Sequence, residues 1–188
     1  VKQALGQFEL RQPDIIFHMG ISASQPVTKD GDFFTDAIKL GHRLSLTAPD
    51  NQILTCALVR KICKKEELFQ SDSIKSLSPH EQDFLSHLIQ VAETKISDQQ
   101  FDLNKLSTEV CVSRPQLYRK LTALTGRSPN DFMINLRMQK ALALLRQKKS
   151  GIAEIAFNSG FNSPSYFSKC FVEKFGCTPS ALLKNDIA

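Results

Sequence analysis

The stretch IAEIAFNSGFNSPSYFSKCFVEKFGCTPSALL, from Ile152 to Leu183, decides the fold. Ile152, Ile155 and Ala156 make the apolar side of a short helix, and Gly160-Phe161 marks a tight turn. Asn162 then caps a second helix in which Phe167, Phe171 and Phe175 recur at four-residue spacing and so share one buried face. Gly176 can end that helix in the left-handed conformation, and Thr178-Pro179 opens a last helix through Leu182 and Leu183. Two short helices across a tight turn, the second with a polar outer face, predict a helix-turn-helix.

The same pattern occurs about fifty residues earlier, as LSTEVCVSRPQLYRKLTALTGRSP from Leu106. Pro115 matches Pro164, Lys120 matches Lys169, Gly126 matches Gly176 and Pro129 matches Pro179, with one residue inserted before the second glycine. Asp102 caps a helix with Leu103, Leu106 and Val110 inward; after Cys111 and Val112, Ser113 caps another with Leu117, Leu121 and Leu124 inward. Arg114, Gln116, Tyr118, Arg119 and Lys120 give the first copy its polar face, and Ser165, Tyr166, Ser168, Lys169 and Lys174 give the second copy its own. Between the copies, Ser128-Pro129 starts a longer helix carrying Phe132, Met133, Leu136, Ala141, Leu144 and Leu145, which ends among Lys148, Lys149, Ser150 and Gly151. Ahead of both, Ser78-Pro79-His80-Glu81 reads as a capping box opening a helix with Phe84, Leu85, Leu88, Val91 and Ala92 on one side.

The whole chain of 188 residues is 41% hydrophobic and 23% charged, the composition of an ordinary globular protein with one large domain or two small ones. No apolar run approaches the roughly 20 residues of a membrane span, and the start has no secretion signal. Position 1 is Val, not an initiator Met, which suggests a piece of a longer chain. The cysteines Cys56, Cys63, Cys111, Cys170 and Cys177 are odd in number, without a C-x-x-C pair, and point to reduced thiols in the cytoplasm and to no metal or cofactor. Net charge is a modest +5, but its distribution is uneven. Residues 1–78 carry 10 basic and 9 acidic side chains, whereas residues 105–184 carry 13 basic and 4 acidic ones. A polyanion is therefore the partner to test for the C-terminal part.

Residues 79–188 resemble the DNA-binding domain of the AraC/XylS family of transcription regulators, and the stretch from Ile152 is similar to that family's signature nearly end to end. The resemblance implies two helix-turn-helix units joined by a long helix, each placing its second helix in a major groove of double-stranded DNA. Carried over by position, the base-edge candidates are Arg114, Pro115, Tyr118 and Arg119, then Ser163, Ser165, Ser168 and Lys169. Gln116 and Asn162 lie beside them, and Lys120, Lys169 and Lys174 are candidates for phosphate contacts. Ser107, where a small Ala is usual, and Cys111 in the turn depart from the family pattern. A linker helix from Ser128 to Lys148 would be about 30 Å long, near the ~34 Å between successive major-groove faces. RNA polymerase and a second copy of the chain are further expected partners.

The N-terminal stretches QPDIIFHMG, KDGDFFTDAIKL and LSLTAPDN resemble the middle and end of a two-component receiver domain. Strands are expected at Pro13 to Phe17 and Leu46 to Ala48, a turn at Asp30-Gly31, and a last strand within Ile62 to Leu68, with Thr47 and Lys64 at the receiver's threonine and lysine. Met19, or His18 with a one-residue shift, stands where receivers carry the phosphorylated Asp. Neither can form the aspartyl phosphate, so this part reads as a degenerate or truncated receiver that serves as a dimerisation or contact surface. The fold expected overall is mostly α. A small α/β, flavodoxin-like fragment over residues 1–74 precedes an all-α domain over 75–188, at the output end of a two-component signalling protein.

Blander alternatives stand beside these. One helix-turn-helix pattern is often only two packed helices, the Phe167, Phe171 and Phe175 stripe is core, and Tyr118 and Tyr166 can be packing residues with surface hydroxyls. His18, His42, His80 and His87 are scattered, and no nucleotide-binding or nucleophile motif occurs, which speaks against an enzyme. The α/β part can be an unrelated segment, and the helical part a protein-interaction or dimerisation module that has lost DNA binding.

Overall fold

The computed structural model describes residues 16–24, 34–148 and 150–185. Three short parallel strands, β1 (His18–Ile21), β2 (Gln52–Thr55) and β3 (Ile74–Ser76), form a sheet in the order β1-β2-β3. Parallel neighbours need crossovers, supplied by α1 (Thr35–Thr47) between the first two strands and by α2 (Ala57–Ile62) with a 3₁₀ turn at Glu66–Gln70 between the last two. Six further helices follow a first long one: α3 (Pro79–Lys95), α4 (Leu103–Glu109), α5 (Arg114–Thr125), α6 (Pro129–Gln147), α7 (Ile152–Asn158), α8 (Pro164–Phe175) and α9 (Pro179–Asn185). Among the described residues no helix is long and apolar enough to cross a membrane.

The helical part follows its local signals. Ser78 accepts from the Glu81 backbone N–H while the Glu81 carboxylate accepts from Ser78 N–H, completing the capping box of α3. That backbone hydrogen bond holds the Glu81 carboxyl below its ordinary pKa. Asp102, Ser113 and Ser128 cap α4, α5 and α6 as expected.

The α/β part corrects the expected strands. Leu46 to Ala48 is not a strand, because Leu40, Leu44 and Thr47 repeat at helical spacing and form the inner face of α1. Thr47 is buried there and donates to the carbonyl of Arg43 at 2.9 Å. Ile62 to Leu68 is not a strand either: its charged residues are all exposed, and β3 lies further on, where Ile53 pairs with Ile74 and Thr55 with Ser76. Lys64 sits in the exposed connection after α2. Pro13 to Ile15 and Asp30-Gly31 fall outside the described residues.

Burial divides into two clusters. The first joins Leu44, Ala48, Leu54, Cys56 and Leu77 of the α/β part to Leu85, Leu88, Leu106, Leu117, Leu121 and Phe132 of the helices without a break. The second contains Met138, Ala141, Leu145, Ile155, Ala156, Phe161, Phe167 and Phe171. Polar links reinforce the first: the Ala57 N–H donates to Gln82 at 2.9 Å, Arg43 pairs with Glu93 at 2.8 Å, and Lys75 donates to the Ala123 carbonyl.

A shared core makes the sheet and the first helical unit unfold together. Leu54→Ala in β2 should cost about 2–5 kcal/mol. Hydrogen exchange should show protection at Leu121 in α5 falling as much as at Leu44 in α1; loss confined to α1 and the strands would separate the two.

Candidate nucleic-acid interface

Each repeat builds an exposed helix from a cap, a turn and a closing glycine. In the first, α5 begins at Ser113, whose hydroxyl accepts from the Gln116 backbone while the Gln116 side chain accepts from Ser113 N–H. In the second, α8 begins at Ser163, whose hydroxyl accepts from Tyr166 N–H at 3.3 Å. The cap is therefore Ser163, not Asn162, which lies exposed one residue earlier. Gly126 and Gly176 end the two helices at φ 69° and 70°, where a side chain would be strained.

These caps change the internal alignment. In the turns, Val112 N–H donates to the Ser107 carbonyl and Phe161 N–H to the Ala156 carbonyl, both at 3.0 Å, so Val112 and Phe161 are equivalent. Asn162 is then the extra residue of the second copy, and the insertion lies in the turn, not before the second glycine. From the caps onward Arg119 is equivalent to Lys169, Tyr118 to Ser168, Pro115 to Ser165 and Leu117 to Phe167. Pro115 and Pro164 occupy the second and first positions of their helices and are not equivalent. The turn residue with positive φ is Cys111 at 53° in one unit and Gly160 at 86° in the other.

Helical phase sorts the candidate residues. With Leu117, Leu121 and Leu124 buried, Pro115 and Arg119 lie opposite the core of α5, flanked by exposed Arg114, Gln116 and a half-exposed Tyr118. Lys120 is turned the other way, its Nζ 4.6 Å above the ring of Phe84 on α3. With Phe167, Cys170 and Phe171 buried, Ser165 and Lys169 lie opposite the core of α8, and Ser168 is partly covered. Tyr166 lies on the flank of α8, its ring 6.2 Å from that of Phe161; its hydrogen bond to the Cys170 side chain raises its pKa. Lys169 lies 3.9 Å from Glu173, an exposed pair that contributes little to stability.

Lys174 is placed differently from the other candidates. It borders a cleft of about 420 Å³ with Ile16, His18, Asp50, Arg127 and Asp131, between the α/β part and the start of α6. Partial desolvation, and then repulsion from Arg127, lower its pKa to about 8. Arg127, which the sequence did not single out, donates to the Leu46 carbonyl at 3.2 Å and to Asp50 at 3.3 Å. Asn135 of α6 donates to the same carbonyl at 3.2 Å. The helix α6 spans 19 residues, about 28 Å, between the two exposed helices.

Residues 106–185 match a helix-turn-helix domain family. Over 105 residues the chain is 38% identical to histidine kinase P4 of Formosa agariphila, covering 56% of this chain and 8% of that relative. Among solved structures, the DNA-binding domain of AdpA, a global transcriptional factor in complex with a target DNA, has a TM-score of 0.50 at 27% identity and covers 53% of this chain and 89% of that one. A transcriptional regulator of Chromobacterium violaceum with an AraC-type DNA-binding domain has a TM-score of 0.51 at 28% identity, covering 55% and 92%. The chain spans 8% of the first curated relative and about a third of the next two.

A lowered lysine pKa costs stability while the unfolded chain holds the proton more tightly. That cost is full below pH 8 and disappears as pH rises from about 8 toward the ordinary value of 10.5. Lys174 is nevertheless an exposed residue at the mouth of its cleft, so solvent screens most of that cost, and Lys174→Met should stabilise the chain only slightly at pH 7, with a gain that shrinks toward pH 10.5. Chemical denaturation at three pH values checks it; a gain independent of pH contradicts the desolvated charge.

Proposed function

We propose, from the premise that residues 106–185 are an AraC-type helix-turn-helix domain, that this chain is the DNA-binding part of a transcription regulator. In this reading α5 and α8 enter successive major-groove segments of one duplex. One observation carries it: the two exposed helices place Arg119 and Lys169 at equivalent positions opposite their buried faces, at either end of a helix of suitable length. Arg119 can give a guanine two parallel hydrogen bonds, and Lys169 a single point-charge contact to a base or phosphate. Because the two faces differ in sequence, the site for one chain is asymmetric.

Arg114, Pro115, Gln116 and Tyr118 border the first reading surface, and Asn162, Ser163, Ser165 and Ser168 the second. The Ser163 hydroxyl already accepts a backbone hydrogen bond, which leaves its proton as the group available to DNA. Lys120 and Lys174 stand off the central faces, which suits contacts to flanking phosphates. The chain has no catalytic role in this reading and works in the cytoplasm, with RNA polymerase and a second copy as further partners. Residues 1–74 and 75–188 are taken as its receiver-like and DNA-binding regions. Similarity to a relative named as a histidine kinase supports a place at the output end of two-component signalling.

Fluorescence anisotropy with random duplex DNA tests the reading. Affinity should fall with salt along a log–log slope of about −0.9 per phosphate contacted. On a duplex selected by the chain, Arg119→Ala should cost about 1–3 kcal/mol, most of it as lost discrimination at one base pair. Negligible binding at low salt, or affinity unchanged in the Arg119→Ala, Lys169→Ala double variant, overturns the reading in favour of a protein-interaction module.

A further inference from the structure

The two exposed helices belong to separate cores that share α6. A single shared helix would leave the units free to twist and bend relative to each other. A second set of contacts closes that freedom. Arg137 lies on α6 between Leu136, in the first core, and Met138, in the second. Its Nη2 donates to the Phe101 carbonyl of the first unit at 2.9 Å, while its guanidinium lies 5.9 Å from the centre of the Phe161 ring in the turn of the second. Its Nε is buried without a hydrogen-bond partner among the described residues. Three residues on, Lys140 donates to the hydroxyl of Ser97, on the same connection between α3 and α4.

Gly160 completes the arrangement from the other side. It has φ 86°, and a Cβ there would lie 2.0 Å from the Ile96 carbonyl oxygen and 3.0 Å from Arg137 Nε. The turn of the second unit therefore rests directly on the end of α3, at a distance no side chain allows. Residues 96–101 of the first unit thus meet both α6 and the second turn.

We propose that Arg137, seated against Gly160, is a positioning residue that fixes the angle between the two reading helices and so sets the spacing of the DNA segments one chain can read. Its consequence for DNA rests on the function proposed above; the latch itself does not. An arginine suits the position because its planar group can donate along one edge while presenting a flat face to a ring. Desolvation lowers the Arg137 pKa, opposed by the negative charge of Asp98 and by Tyr166, but an arginine stays charged at any working pH. Removing it would exchange a charge-assisted hydrogen bond for an unpaired carbonyl at Phe101.

The test needs a readout that stability alone does not move. Residual dipolar couplings of the full chain, without DNA, should fit one alignment tensor for both units in the parent and require two in Arg137→Met. Gly160→Ala should separate the units in the same way. A single tensor in a folded Arg137→Met overturns the latch. If that variant loses cooperative unfolding, Arg137→Lys carries the same expectation at smaller amplitude, since it keeps a donor for Phe101 but no planar face for Phe161.

A second measurement uses a duplex selected from a random pool by the parent, its two contacted segments located by hydroxyl-radical footprinting. Each inserted base pair rotates the second segment by about 35°, so two should cost the parent about tenfold or more in affinity. Arg137→Met should pay less than about threefold of that penalty, its helices being free to follow the rotated groove. An unchanged penalty overturns the proposal. Failure of the parent to select any duplex overturns the DNA-binding function instead, and the dipolar couplings still decide the latch.

Discussion

The structure depends on one helix serving two cores. The first half of α6 buries Phe132, Met133 and Leu136 with the first unit, and its second half buries Met138, Ala141 and Leu145 with the second. Neither unit has enough helices to close a core alone: α4 and α5 need α3 and the start of α6 above them, and α7 and α8 need its end together with α9. Because buried residues must face both ways along one helix, the apolar stripe of α6 wraps around it instead of following a single line. The same requirement sets the distance between the exposed helices, since each is docked on a fixed portion of α6.

The α/β part is attached to only one of these units by its core. Leu44, Leu54 and Leu77 share one buried cluster with residues of α3 and α5, and the Leu46 carbonyl at the end of α1 accepts from both Arg127 and Asn135. The Leu46 carbonyl thus ties the end of α1 to the loop between α5 and α6, which carries Arg127 next to the closing Gly126, as Arg43 ties α1 to α3 through Glu93. From the second unit, Lys174 of α8 borders the cleft that Arg127 and Asp50 line. The exposed helix α5 is therefore seated against more of the chain than α8, a polarity that follows from packing and not from any difference between their exposed faces.

How much of this is legible in the sequence depends on how local each signal is. Caps, closing glycines and four-residue apolar spacing act within one turn of helix, and they placed α3 to α9 nearly to the residue. The strands are hard to read because parallel strands of three or four residues are too short to show an alternation, β1 being mostly exposed, and LSLTA carries as strong a helical phase as a strand pattern. Lys120 is adjacent to Arg119 in sequence but about 100° away around the helix, which turns it from the exposed face of α5 toward Phe84. Arg127 and Arg137 carry no local signal, and Gly160 signals only its turn and not its seat on Ile96, because the partners Leu46, Phe101 and Ile96 lie tens of residues away.

The misplaced insertion shows which local signals can be trusted for register. Proline is tolerated at either of the first two helical positions, since neither backbone N–H has an intrahelical acceptor, so Pro115 and Pro164 could be matched across a one-residue error. A hydroxyl cap and a left-handed glycine have no such latitude, because each is defined by a particular hydrogen bond and a particular φ. Measured from Ser113 to Gly126 and from Ser163 to Gly176, the two helices have equal length, and the extra residue, Asn162, falls in the turn. There it lets the larger Phe161 sink into the second core, where Phe167 packs on its ring at 5.3 Å, while Val112 in the first unit stays only partly covered. The longer turn and the bulkier core residue are one adaptation, and it also brings Phe161 under the guanidinium of Arg137.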